Sequence, residues 1–173
     1  MKLPMPEPLQ HSQNRGWIEG VLRHIPGFKG YLEKEYRRDS DALQRTWLAD
    51  RLQRAKPSLD TYGRALTSAK KLDLLSDLDR FKSRLDRTVS RLRGAMPGYS
   101  GFFDLVQIDE HVLDRVYQQD VKTMDAVDSL AGGIEKLATT PADAASPLAA
   151  LSDQLIQVDQ AIDHRTDMLK GLE

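Results

Sequence analysis

Cysteine occurs nowhere in the 173 residues. Its absence excludes a disulfide framework, a thiolate metal site and a thiol nucleophile. Aromatic residues make up only 6%, and isoleucine and valine are sparse, a composition that disfavours β-sheet. No stretch approaches the roughly 18 consecutive apolar residues that a membrane-spanning helix needs. The opening segment carries Pro4, Pro6 and Pro8 and no apolar core, so no secretory signal is expected. A cytoplasmic protein follows as the expectation.

What the chain does have is charge sorted by position. Residues 1–96 hold 20 Lys/Arg against 12 Asp/Glu, whereas residues 97–173 hold 5 against 14. The basic surplus is densest at Arg80, Lys82, Arg84, Arg87, Arg91 and Arg93. The acidic surplus runs through Asp109, Glu110, Asp114, Asp120, Asp125 and Asp128, then Asp153, Asp159, Asp163 and Asp167. Oppositely charged halves in a near-neutral chain predict that one half meets the other, within one molecule or between two.

The apolar pattern is helical. Residues 1–13 read as a disordered arm, and Asn14 can cap a short helix through Trp17, Ile18, Val21, Leu22 and Ile25 that Pro26-Gly27 stops. Leu48, Leu52, Ala55, Leu59, Tyr62, Leu66 and Ala69 then alternate spacings of four and three. This phase passes through Pro57 without slipping. A terminated helix would have no reason to resume in step, so residues 30–71 read as one helix kinked at Pro57, with a full break there as the alternative.

The phase slips near Lys71. Ser76, with Asp79 three positions on, then reads as the cap of a helix over 76–95 with Leu78, Phe81, Leu85 and Leu92 on its stripe. Asp109 is a candidate cap for a third helix, with Ile108 and Leu113 as a hydrophobic staple. Its stripe is Leu113, Tyr117, Met124, Val127, Ala131 and Ile134, and Gly132-Gly133 blurs its end. Residues 139–146 read as a linker between the main bundle of 14–138 and a C-terminal helix, 147–173, that packs back on it. Ser146 as cap and Pro147 at the first helical position open that last helix. Its stripe is Leu148, Leu151, Leu155, Val158, Ile162, Arg165, Leu169 and Leu172, interrupted only by Arg165.

Periods near 3.5 predict narrow seams. The fold expected is therefore all-α: an elongated antiparallel helical bundle with coiled-coil-like packing and a long helix kinked at Pro57. A helix over 30–71 would be about 63 Å long, more than the roughly 40 Å diameter of a compact sphere of this chain length. Buried leucines at about 1.5–3 kcal/mol each outweigh exposed ion pairs at about 0.2–1 kcal/mol, so charge should select neighbours rather than supply stability.

Two loops match: Pro26-Gly27-Phe28-Lys29-Gly30-Tyr31 and Pro97-Gly98-Tyr99-Ser100-Gly101-Phe102. They are either a faint duplication, since Asp39, Leu43, Arg45 and Trp47 align with Asp109, Leu113, Arg115 and Tyr117 after a one-residue shift, or a coincidence of helical composition. Their rings can plug bundle ends. Alternatively Phe28, Tyr31, Tyr99, Phe102 and Phe103 form a recognition surface on a rigid scaffold. The run Gly30–Asp39 together with Gly98–Asp104 resembles a group of bacterial helical proteins of no assigned activity, over about residues 26–125. The resemblance implies a helical fold and a bacterial, intracellular setting, and brings no catalytic residue.

No catalytic, cofactor or metal site is expected. No Glu has a His three positions later, as a di-iron bundle requires. His111 and His164, each followed three positions later by Asp, flank their seams. No Gly-x-Ser-x-Gly elbow is present, and Glu33 and Glu35 do not face each other on a helix. The expectation is a non-enzymatic interaction or scaffolding subunit that self-associates through its helical seams, with Arg80, Arg84, Arg87 and Arg91 as further candidate contacts. A peripheral membrane-surface role for helix 76–95 is the alternative. A cofactor- or metal-binding bundle ranks third, and a nucleic-acid partner is disfavoured because Asp77, Asp79 and Asp86 interrupt the basic run.

Overall fold

A computed structural model of the chain describes Val21, Ile25 and residues 37–94, 110–142 and 144–170; the side chains of 37–38, 110–113 and 169–170 are not described. The expected arm, the first helix beyond Val21 and Ile25, both Gly-aromatic loops and the Asp109 cap lie outside the described residues. Val21 and Ile25 themselves are buried in the core, and the Ile25 amide donates to the Val21 carbonyl at 2.9 Å.

The described residues form an all-α bundle with no strand among them. Helix α1 spans Arg37–Ala55, α2 Pro57–Ser68, α3 Leu72–Gly94, α4 Glu110–Lys136, followed by a 3-10 turn at Leu137–Thr139, and α5 Leu148–Lys170. Helices α1 and α2 are the predicted kinked helix. Lys56, between them, keeps helical angles of φ −55° and ψ −37°. Pro57 has no N–H to give the Gln53 carbonyl, and the Lys56 amide takes that carbonyl instead at 3.3 Å. The Gln53 carbonyl therefore keeps a partner, and the helical angles at Lys56 preserve the phase. Leu48, Leu52 and Ala55 before Pro57, and Leu59, Tyr62 and Leu66 after it, are all buried. Together α1 and α2 extend about 48 Å.

The seam stops at Leu66, for Ala69 is exposed. There Lys70 adopts a left-handed φ of 58°, the Lys71 amide reaches back to the Leu66 carbonyl at 2.9 Å, and Lys70 to Thr67 at 3.0 Å. This double-bonded helix end satisfies two terminal carbonyls and reverses the chain in three residues. The next helix consequently starts at Leu72, which corrects the cap assigned to Ser76: Ser76 is an exposed residue inside α3. Glycine is the residue that the left-handed position favours. Lys70→Gly is expected to raise stability by about 0.5–1.5 kcal/mol, read as a higher urea midpoint at unchanged slope.

Taking α1 and α2 as one bent rod, successive helices alternate in direction. Asp50–Arg93, Lys56–Asp86 and Asp60–Lys82 form an antiparallel ladder of ion pairs between α1/α2 and α3. Helix α4 pairs antiparallel with α5: Gln119 meets Ala161 near one end and Gly133 meets Leu151 near the other. Between these two hairpins α1 packs on α4 and α3 packs on α5, so the step from α3 to α4 crosses the bundle diagonally. Gly132 and Gly133 do not end α4. Gly133 lies so near α5 that a Cβ there would sit 2.6 Å from Leu151 Cδ2, and the missing side chain is what lets the two helices approach. Before α5 the Leu148 amide donates to Ser146 Oγ at 3.4 Å, and Leu151 bonds the Pro147 carbonyl at 3.0 Å.

The interior follows the predicted stripes. Leu78, Phe81, Leu85 and Leu92 of α3 are buried, as are Tyr117, Met124, Val127, Ala131 and Ile134 of α4 and Leu148, Leu151, Leu155 and Val158 of α5. Trp47 is half-buried against this core.

Candidate functional site

Arg165 is the one charged residue on an otherwise apolar stripe, and it is buried. Its Nε donates to Asp120 of α4 at 2.5 Å and its Nη1 to Asp41 of α1 at 2.7 Å. The Asp120 side chain is 0% exposed and those of Asp41 and Arg165 are 8% exposed. The second oxygen of Asp41 accepts from Arg45 Nε at 2.9 Å. Arg45, Asp41, Arg165 and Asp120 are thus linked in one chain of alternating charge across α1, α4 and α5. Its members come from opposite charge halves, and desolvated charge of this kind is tolerable only when paired.

A second cluster joins α1 to α4. Arg51 donates to Asp128 at 2.6 Å and grips Glu135 with two nitrogens, at 2.6 and 3.2 Å. The hydrogen bond from Arg51 lowers the Glu135 carboxyl below its ordinary 4.5, and Glu135 in turn raises the guanidinium. A lowered carboxylate pKa contributes stability that is complete above the unfolded value and is lost as pH falls through the folded one. The wild-type urea midpoint should therefore drop as pH falls below about 4.5, and Glu135→Gln should make that drop shallower while lowering the neutral-pH midpoint.

The four predicted arginines come together. Arg80, Arg84, Arg87 and Arg91 line one open groove between α3 and α5, with Asp79, Ser83 and Asp159. Arg84 reaches Asp159 with two nitrogens at 3.3 Å, and the Thr88 hydroxyl donates to the other oxygen of Asp159 at 2.8 Å. Arg91 bridges Asp159, at 3.4 Å, and Asp163. Arg80 pairs along its own helix with Asp77. Arg87 is exposed and makes no ion pair with a described residue. So α3 divides its basic residues: Lys82 and Arg93 turn toward α1/α2, Arg84 and Arg91 toward α5, and Arg80 and Arg87 point to solvent.

Phe28, Tyr31, Tyr99, Phe102 and Phe103 lie outside the described residues. His164 is exposed, and the side chain of His111 is outside the described set. Among the described residues no three His, Cys, Asp or Glu side chains are grouped as metal ligands, and no helix is long and apolar enough to cross a membrane. Sequence reasoning missed Asp41 and Asp120. The signal was Arg165 itself, since a charge on a buried stripe demands counter-charges, but nothing in the linear order singles out partners 124 and 45 residues away. Comparison with protein-family models, with curated proteins and with solved structures finds no match to this chain.

Proposed function

We propose that this protein is a non-enzymatic, cytoplasmic interaction subunit that associates with a second copy of itself through the α3/α5 face. The observation that carries the reading is the side-by-side placement of an arginine ridge and an acidic stripe on that face. Helix α3 presents Arg80, Arg84, Arg87 and Arg91, while α5 exposes Asp153, Asp163 and Asp167. A two-fold axis parallel to the helices lays α3 of each copy over α5 of the other, so the face is complementary to itself. Two features favour this over seam-to-seam association or a bilayer. The apolar stripes are already occupied by the chain's own helices, and the stripe of α3 that would enter lipid faces the interior.

Contacts of this kind are exposed and screened by salt. Sedimentation velocity should show a dimer at about 50 mM salt that dissociates toward monomer at about 500 mM. Arg80→Glu with Arg87→Glu should give monomer at both, with an unchanged melting temperature, because neither residue supports the core. A protein monomeric at every salt concentration would overturn the reading. Pelleting with anionic vesicles, abolished by the same two substitutions, would replace it with a membrane-surface role.

A further inference from the structure

A cavity of about 640 Å³ opens where the start of α1 and the ends of α3 and α5 converge, with Gly94 on its wall. Leu48, Leu92 and Ile162 give it an aliphatic surface, and four arginines against two aspartates line it. Arg87 supplies a guanidinium with no ion-pair partner among the described residues, and Arg91 lies beside it on the same helix.

Within this lining Gln44 stands apart. It is 0% exposed, yet neither its amide oxygen nor its amide nitrogen has a hydrogen-bond partner. An unmet buried amide is a costly feature that folded proteins avoid. Tyr62 Oη and Gln154 Oε1 are also buried without a partner, but among the described residues Gln44 is the one side chain with two such atoms, a donor and an acceptor. The buried Gln119, by contrast, donates to the Ala161 carbonyl at 3.2 Å. Gln44 thus offers a donor and an acceptor side by side, in an arginine-lined cavity whose size suits a small ligand.

We propose that this cavity binds a small heterocyclic anion of the nucleoside monophosphate class. A side-chain amide matches a planar edge carrying an adjacent donor and acceptor, as Gln does with the N6/N7 edge of adenine. Arg87 and Arg91 suit the phosphate, because guanidinium pairs with phosphate through charge-assisted hydrogen bonds. Leu48, Leu92 and Ile162 flank the heterocycle. The site shares Arg87 and Arg91 with the proposed self-association ridge and differs from it in its key residue: Gln44 is buried and takes no part in the ridge.

Isothermal titration of the full chain with AMP, adenosine and ribose 5-phosphate tests the assignment. AMP should bind, and removing either the phosphate or the base should weaken binding at least about tenfold. Gln44→Leu should weaken AMP at least about tenfold while leaving the urea midpoint unchanged or raised, since it removes an unsatisfied amide. Arg87→Met should weaken AMP but not adenosine. Sedimentation of Gln44→Leu should match wild type, so that failure of this site and failure of the dimer are told apart. No binding of AMP at millimolar concentration, or AMP affinity indifferent to Gln44→Leu, would overturn the proposal. So would ribose 5-phosphate binding as tightly as AMP.

Discussion

Arg165→Met alone is expected to lower the unfolding free energy by about 3–5 kcal/mol, the usual penalty for breaking a buried ion pair. The substitution takes the Arg165 guanidinium away from Asp120, whose side chain is 0% exposed, and from Asp41, which keeps its bond from Arg45. Replacing the whole desolvated set, Arg165→Met with Asp41→Leu and Asp120→Leu, should recover most or all of that loss, because apolar side chains have no charge to desolvate. Arg45, which is 19% exposed, can hydrate once Asp41 is gone. Urea midpoints at unchanged slope report both changes. A loss below about 1 kcal/mol in Arg165→Met would mean that the network is solvated and not buried. The triple variant also tests specificity. If the polar chain fixes which helices meet and in what register, the variant should keep its helicity but lose sharp side-chain signals in NMR spectra. Sharp signals would show that apolar packing alone is enough.

Inserting one alanine between Lys56 and Pro57 is expected to unfold α2 or the whole bundle at 25 °C. One residue turns everything beyond it by about 100° around the helix axis. Leu59, Tyr62 and Leu66, each at most 1% exposed, would then leave the core. At about 1.5–3 kcal/mol per side chain their loss approaches the roughly 5–15 kcal/mol that stabilises a typical domain. The same insertion between Ala144 and Ala145, both exposed in the connection before α5, should shift stability by no more than about 0.5 kcal/mol. Circular dichroism against urea distinguishes the two. Equal tolerance of both insertions would show that α2 packs without reference to the phase of α1.

Much of the helical architecture was legible. The four-three spacing from Leu48 to Leu66 survives Pro57 because the Lys56 amide takes the carbonyl that proline cannot use. The stripe of α5 announced both its apolar face and its single exception, Arg165. Other features were not legible. Ser76 looked like a cap, but the left-handed Lys70 makes so short a reversal that α3 begins four residues earlier. Lysine at that position carries no sign of its conformation, whereas a glycine would have. Gly132-Gly133 left the end of its helix uncertain, because Gly133 serves the close approach of α5, which depends on a neighbour the local sequence cannot name.

The sequence by itself determined which residues face inward, because a 3.6-residue period sets the buried side of each helix whatever it packs against. It also determined that the two halves carry opposite charge. Only the tertiary structure decided that α3 lies beside α5 and α1 beside α4, that Arg165 meets Asp41 and Asp120, and that Gln44 is enclosed with its amide unmet. Those are choices among pairings of similar charge and hydropathy, and they are settled by which side chains interlock at close range, where the differences of a few kcal/mol arise.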